Sequence, residues 1–279
     1  MQEQNKNSTK PPRTHETGSD SGALSGSIET KPSLDNLKRK AADDLDTVKE
    51  KAKAQVRNVA DKAEEVARLG TAIIRTLQAE GIAASGKHFP GHGDTSVDSH
   101  LELPLVEHPP DRLRRVEFVP FKAAVDAGVA TMMTAHVLVP SFDEESPATL
   151  SKTLVGLLRE ELGYQGVILS DDLEMKAIAG RYAVPEAAVQ AVAAGCDGVL
   201  ICSGDHDTQA AALEALVHAV ENERIPIARV DDALRRQQRA KERFLAAPAV
   251  ARPPSAKALR QALGRDDHRA IAAEMARFV

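Results

Sequence analysis

The sequence predicts an α/β fold built on a parallel sheet covered by helices. Short, near-continuous apolar runs alternate with amphipathic helical patterns, which is how strands buried on both faces and their crossover helices read. Each run is followed closely by polar groups able to do chemistry: Lys87 and His88, His136, Asp171, and Asp205. Barrel and open-sheet enzymes alike collect such groups at the C-terminal ends of parallel strands. A hydrophobic fraction of 42% in 279 residues is enough for a core, although aromatic residues make up only 3% and Trp is absent.

Taken in order, residues 1–33 are rich in Ser, Thr, Lys, Glu and Pro and have almost nothing to bury. Such a segment cannot offset the entropy of ordering it and is expected to be disordered. Over 34–66, Leu34, Leu37, Ala41, Leu45, Val48, Ala52, Val56, Val59 and Ala63 recur in steps of 3, 4 and 4. An eleven-residue repeat of this kind marks a helix with a thin apolar stripe. Charged on its other faces, it suits a solvated helix, a right-handed coiled-coil strand or a lipid-surface helix. A second helical pattern at 68–81 ends on Gly81, a suitable C-cap. Strands are expected at 82–86, 129–135, 166–170 and 197–201, with helices at 117–128, 153–163 and 185–196 between them. Residues 248–279 read as a helical tail.

Composition also excludes. A formal charge of -5 argues against a nucleic-acid partner. Cys196 and Cys202, outside any CxxC pair, read as two buried, reduced thiols. The N-terminus lacks the apolar region of a secretory signal, and no apolar run approaches transmembrane length, so the cytoplasm is the expected compartment. No cofactor is called for. The histidines at 88, 92, 100 and 108 invite a metal reading, but their spacing matches no compact zinc signature.

Two motifs carry chemistry. KHFPGHGDTSVDSH (87–100) gathers three histidines, two aspartates and a lysine in one loop. Within its final DSH, residues two apart in extended chain point the same way, so Asp98 can orient His100 and raise its pKa toward general acid/base use. SDDLEM (170–175) ends an apolar strand in two carboxylates. They either solvate the strand end or cap the next helix, or one of them points into a site as nucleophile or base.

KHFPGHGDTSVDSH with LELP, followed by TAHVLVPSFD, PATLS, SDDLEM and RVDDALRRQQRAKERF, resembles the bacterial β-N-acetylglucosaminidases of glycoside hydrolase family 3 from about Arg68 to about Phe244. The resemblance implies a (β/α)8 TIM-type barrel and retaining hydrolysis of terminal β-linked N-acetylglucosamine, with muropeptides of peptidoglycan recycling as substrates. It aligns Asp171 with the nucleophile, His100 with the acid/base and Asp98 with the carboxylate that orients it. Lys87 and His88 align with groups that hold sugar hydroxyls. Phe89 and Pro90 suit either a stiff hinge edge for a mobile loop or plain packing.

Only four strands are counted, corresponding to strands 5–8 of such a barrel. The expected organisation is a tail (1–33), a charged helix unrelated to the family (34–66), the second half of a barrel (67–247) and a helical tail (248–279). A fusion or truncation of this kind is expected to impair turnover and to favour self-association through open sheet edges. The competing expectation is an inactive fragment acting as a helical interaction or stress-type protein.

Overall fold

The structure, a computed structural model, describes residues 34–95, 103–245 and 255–278. The segment expected to be disordered, 1–33, lies outside the described residues. The chain divides into two units, Met1–Ala52 and Lys53–Val279.

The first element is α1 (Leu34–Ala79). The two helical patterns read at 34–66 and 68–81 are therefore one uninterrupted helix. Gly70 sits inside it with no neighbour crowding its Cα, so a single glycine does not break the run. The stripe that begins at Leu34 keeps its step into the buried Ala67 and Ile74. One turn on, the Gln78 side chain donates to Gly128 O at 3.0 Å and accepts from the Ala130 N–H at 2.8 Å, fastening the helix end beside the start of the second strand. Gly81, at φ +79, turns the chain where the sequence placed a cap.

Next come β1 (Ser85–Phe89), α2 (Pro110–Arg115), α3 (Phe118–Asp126), β2 (Thr131–Thr134), α4 (Lys152–Glu160) and β3 (Val167–Asp172). They are followed by α5 (Lys176–Ala179), α6 (Val184–Ala194), β4 (Gly198–Leu200), α7 (His206–Glu221) and α8 (Ile227–Leu245). Two short helices, α9 (Ala256–Ala262) and α10 (Asp266–Met275), make up the helical tail. Strand positions agree with the sequence reading to within a few residues; α2, α5, α7 and α8 were not singled out by it as helices.

The four strands form one sheet in the order β1-β2-β3-β4, with every neighbouring pair parallel. A doubly wound sheet reverses its direction of growth at a switch point, whereas a (β/α) barrel adds each strand beside the last. Sheet order equal to chain order, with no switch point among the four strands, is the order of an arc of a TIM-type barrel. Among the described residues β1 and β4 each have a single strand neighbour, so the arc keeps two open edges.

Helix faces follow their sequences. Ser151 caps α4, accepting from the Leu154 N–H at 3.2 Å, and Leu154, Val155 and Leu158 line its buried face. α6 opens with Pro185 in its first turn and stops at Gly195, whose φ of 125 few other residues adopt. Its buried side is mostly alanine, Ala187, Ala188 and Ala191, which lets it lie close to the sheet. Phe89 is buried against Phe118 and Phe121, with ring centroids 5.4 Å and 5.3 Å away. Of the two roles open to Phe89, packing is the one it has here.

The deepest charge is Asp197, one residue before β4. Its carboxylate accepts from Arg159 of α4 at 2.5 Å, from Arg229 of α8, and from the Ile168 N–H of β3 at 2.9 Å. Arg236 lies 3.9 Å away. The side chain has 0% exposure. Removing one partner from such a buried cluster typically costs about 3–5 kcal/mol, because the remaining charges stay desolvated. Asp197→Asn should therefore lower the urea midpoint by a free energy on that scale at unchanged m-value; a shift below about 0.5 kcal/mol would mean that the arginines find other partners.

Cys202 corrects the reading of two buried thiols: it is exposed, while Cys196 is buried. Burial pushes the Cys196 thiol up to about 12. In the native protein Ellman's reagent should count one thiol per chain, and a second only after unfolding. A Cys202→Ser variant should show none until it unfolds.

Candidate active site

The site is built at the C-terminal end of β1 and β3. Glycine opens β1 to its neighbour: a Cβ on Gly86 would lie 2.8 Å from the Met132 sulfur of β2. Lys87 and His88 follow inside the strand, with Lys87 exposed and His88 partly buried. The Lys87–His88 and Phe89–Pro90 peptide bonds are cis. Gly91 then turns at φ 130, with the Glu117 side chain 3.0 Å from where a Cβ would stand.

Across the rim, the two carboxylates of SDDLEM separate into different jobs. Asp171 Oδ1 accepts from the Asp172 N–H at 2.9 Å, and its Oδ2 faces His88 Nε2 at 3.5 Å. One oxygen is tethered and the other is presented beside an imidazole. Asp172 instead closes a turn: its Oδ1 accepts from the Glu174 and Cys202 N–H groups, both at 3.2 Å, tying the end of β3 to the segment after β4. Neither carboxylate caps the next helix, whose N-cap is Met175; Asp172 takes a turn-forming role and Asp171 the site-facing position.

His88 is held below its usual pKa, chiefly by burial; Lys87 and His92 push the same way, and Asp171 opposes them. A neutral imidazole beside a carboxylate can donate one hydrogen bond and accept another, as a ligand rich in hydroxyls requires. His92 sits near it, its ring centroid 6.2 Å away, with Nδ1 3.1 Å from the Thr95 hydroxyl. Asp98 and His100 lie outside the described residues, so the proposed dyad is not placed.

Two other polar residues at strand ends have structural partners. Asp205 is the N-cap of α7, accepting from the Asp207 N–H at 3.1 Å and the Thr208 hydroxyl at 2.6 Å. His136 is fully buried beneath the rim, with Nδ1 2.8 Å from the Thr149 hydroxyl and Nε2 2.9 Å from the Asp172 carbonyl. Sequence reasoning named His136 but missed Thr149; the PATLS motif was the available signal. Asp143 and Ser151, from the same motifs, brace the loop before α4: the Ser151 hydroxyl donates to Asp143 Oδ2 at 2.6 Å. Burial alone would raise the Asp143 carboxyl, but Ser151 and the Ser146 and Glu145 N–H groups hold it below its usual range.

The metal reading finds one grouping among the described residues, Asp94, His108 and Glu117. Arg112 already supplies a cation there, donating to both Glu117 oxygens at 2.6 Å, while His108 Nε2 lies 2.6 Å from Asp94 Oδ2. A cavity of about 340 Å³ lined by Val129, Ala130, Gly166, Arg236 and Phe244 lies at the opposite, N-terminal ends of β2 and β3 and touches none of these groups.

A barrel-type arc with a presented carboxylate and imidazole on its strand-end rim defines the class: an enzyme scaffold of the (β/α)-barrel type. Residues 44–240 match the Glycosyl hydrolase family 3 N terminal domain, and the chain belongs to that family. The match begins within α1. The chain is 40% identical over 141 residues to a beta-hexosaminidase of Thiobacillus denitrificans, covering 50% of this chain and 39% of that protein. A beta-hexosaminidase of Vibrio cholerae is 38% identical over 182 residues, 64% of this chain and 51% of the other. The solved glycoside hydrolase family 3 beta-N-acetylglucosaminidase from a Paenibacillus species superposes with a TM-score of 0.66 at 50% identity, over 70% of this chain and 37% of that one. The chain thus spans about two-fifths to one-half of the length of these relatives. No described helix is long and apolar enough to cross a membrane.

Burial depresses both His88 and His136, so the unfolded chain takes up protons before the folded one as pH falls. Their contribution is fully present above the unfolded value of about 6.5 and is lost as pH drops toward the folded values. His218, raised by its bond to Glu221, acts in the opposite sense from an exposed position. The urea midpoint should therefore be lower at about pH 5.5 than at about pH 7.5. Equal midpoints would show that the two imidazoles ionise as freely in the folded chain as in the unfolded one.

Proposed function

We propose that the chain carries the nucleophile half of a retaining β-N-acetylglucosaminidase acting on terminal β-linked N-acetylglucosamine, of the kind found in peptidoglycan-derived muropeptides. The observation that carries this reading is Asp171, with one oxygen tethered to the Asp172 N–H and the other turned toward His88 on the strand-end rim. A tethered carboxylate loses little orientational entropy on attack, which is where much of a nucleophile's advantage lies. The beta-N-acetylglucosaminidase named among the similar structures supports the choice of sugar.

In this mechanism Asp171 Oδ2 attacks the anomeric carbon as the glycosidic C–O bond breaks. His100, oriented by Asp98, gives a proton to the departing oxygen. The glycosyl–Asp171 ester is then attacked by water, whose proton returns to His100, and the carboxylate is released. A histidine in place of the second carboxylate departs from the usual pair of retaining enzymes. It avoids like-charge repulsion across the site. Lys87 and His88 hold sugar hydroxyls. The two unpaired cysteines suit the reducing cytoplasm.

The open edges at β1 and β4 favour weak turnover by the lone arc and association that covers those edges. Asp171→Asn should abolish hydrolysis of an aryl β-N-acetylglucosaminide and prevent covalent labelling by a 2-fluoro sugar, while its melting temperature stays close to that of the parent. Labelling of the variant at another residue would reassign the nucleophile. A parent chain that neither turns over nor labels, at any concentration at which it self-associates, would favour the inactive, interaction-type reading.

A further inference from the structure

We propose that His136 is a positioning residue whose Nε2–H fixes the Asp172 carbonyl and, through Asp172 and its N–H bond to Asp171 Oδ1, aims Asp171 Oδ2 at the rim. The proposal rests on the reading of Asp171 as nucleophile for its consequence in catalysis, but not for its geometry.

The hydrogen-bond inventory determines the tautomer. A backbone carbonyl can only accept, so the 2.9 Å contact between His136 Nε2 and Asp172 O requires the proton on Nε2. Burial favours the neutral ring over the opposing pull of the Asp172 carbonyl and the Asp171 and Asp172 charges. Nδ1 is then bare and faces the Thr149 hydroxyl at 2.8 Å, the donor within its reach, which also lies 3.0 Å from Ala135 O. Thr149 Oγ1 in turn lies 2.9 Å from the Thr134 hydroxyl. Thr134, Thr149 and His136 are all 0% exposed. A contact chain therefore runs from Thr134 through Thr149 and His136 to the Asp172 carbonyl, with Leu169 O a further acceptor 3.4 Å from the Thr134 hydroxyl.

That carbonyl belongs to the residue whose N–H tethers Asp171 Oδ1. Asp172 is consequently held at its N–H by Asp171, at its carbonyl by His136 and at its carboxylate by the Glu174 and Cys202 N–H groups. The Leu173 N–H of the same peptide donates to Leu200 O at 3.0 Å, so loss of the His136 bond would remove one of two holds on that peptide and let Asp172 shift. Asp171 would then leave its place beside His88. The charged and titratable groups acting on His136 are Asp171, Asp172 and His88, so a change in any of them should be felt by the others.

The test uses the full chain, labelled with ¹⁵N-histidine. In the parent, the His136 Nδ1 signal should be that of an unprotonated nitrogen and the Nε2 signal that of a protonated one, from about pH 6 to about pH 8. His88 then reports where Asp171 points, because the Asp171 carboxylate raises its pKa. His136→Asn, too short to reach the carbonyl, should move the His88 titration to lower pH. His136→Gln, which keeps a donor at that reach, should restore it. If His136→Asn does not fold, Thr149→Val, which removes the hydroxyl facing Nδ1, should shift the Nδ1 signal to that of a nitrogen without a donor while Nε2 stays protonated. Where turnover is measurable, His136→Asn should lower kcat by up to about a hundredfold at little-changed KM, as a misaimed reactive group does. A proton on Nδ1 of the neutral ring, or an unmoved His88 titration in a folded His136→Asn, would overturn the proposal. Full activity of Asp171→Asn together with a shifted His88 titration in His136→Asn would instead overturn the functional reading and leave the positioning role standing.

Discussion

A single buried carboxylate organises this arc. Asp197 stands at the entrance to β4, and its oxygens bind the β3 backbone, α4 and α8 at once. The Asp197 N–H also donates to Ile168 O at 2.7 Å, so the β3–β4 pairing is fixed from both sides of one residue. A charge without exposure is tolerated only when its partners surround it, and that condition admits one arrangement of the two helices. The consequences reach the opposite end of the sheet. The β3–β4 pairing brings the Cys202 N–H to the Asp172 carboxylate, and Asp172 in turn steadies Asp171. The base of the arc thus sets the geometry of its rim.

Most of the polar residues in the conspicuous motifs serve the backbone. Asp143 and Ser151 brace a loop, Asp172 closes a turn and Asp205 caps a helix. Thr134 and Thr149 supply hydrogen bonds that a buried imidazole needs. Such groups occur in enzymes because strand ends are where regular backbone pairing stops, leaving N–H and C=O groups that need other partners. Among the described residues, Lys87, His88 and Asp171 remain at the rim where they can meet a ligand. The scaffold outnumbers the chemistry.

The open sides of the arc carry their own physical cost. β1 and β4 present unpaired strand edges among the described residues, and α1 shows Val66, Leu69 and Ile73 to solvent at 56%, 47% and 59% exposure. The thin stripe read from the sequence leads instead to the buried Ala63, Ala67 and Ile74, so this exposed row is a second apolar face. Exposed apolar surface is worth about 25 cal/mol per Å², and rows of it generally mark places where something binds. Close packing elsewhere, as in the Phe89, Phe118 and Phe121 cluster, shows that the interior is complete where it is covered.

The sequence by itself determined the class of fold, the count and order of the strands and the residues at their ends. These follow from local pattern: apolar runs, helical periodicity, and Gly and Pro at the breaks. Its motifs also carried the family resemblance, and residues 44–240 match that family. Tertiary structure alone decided which of two adjacent carboxylates faces the site, because Asp171 and Asp172 differ only in the partners that folding brings to them. It likewise buried His136, exposed Cys202 and joined two helical patterns into α1. Apart from the continuity of α1, these outcomes depend on contacts between residues far apart in the chain, such as Asp172 with Cys202 or Asp197 with Arg229, which no local pattern encodes.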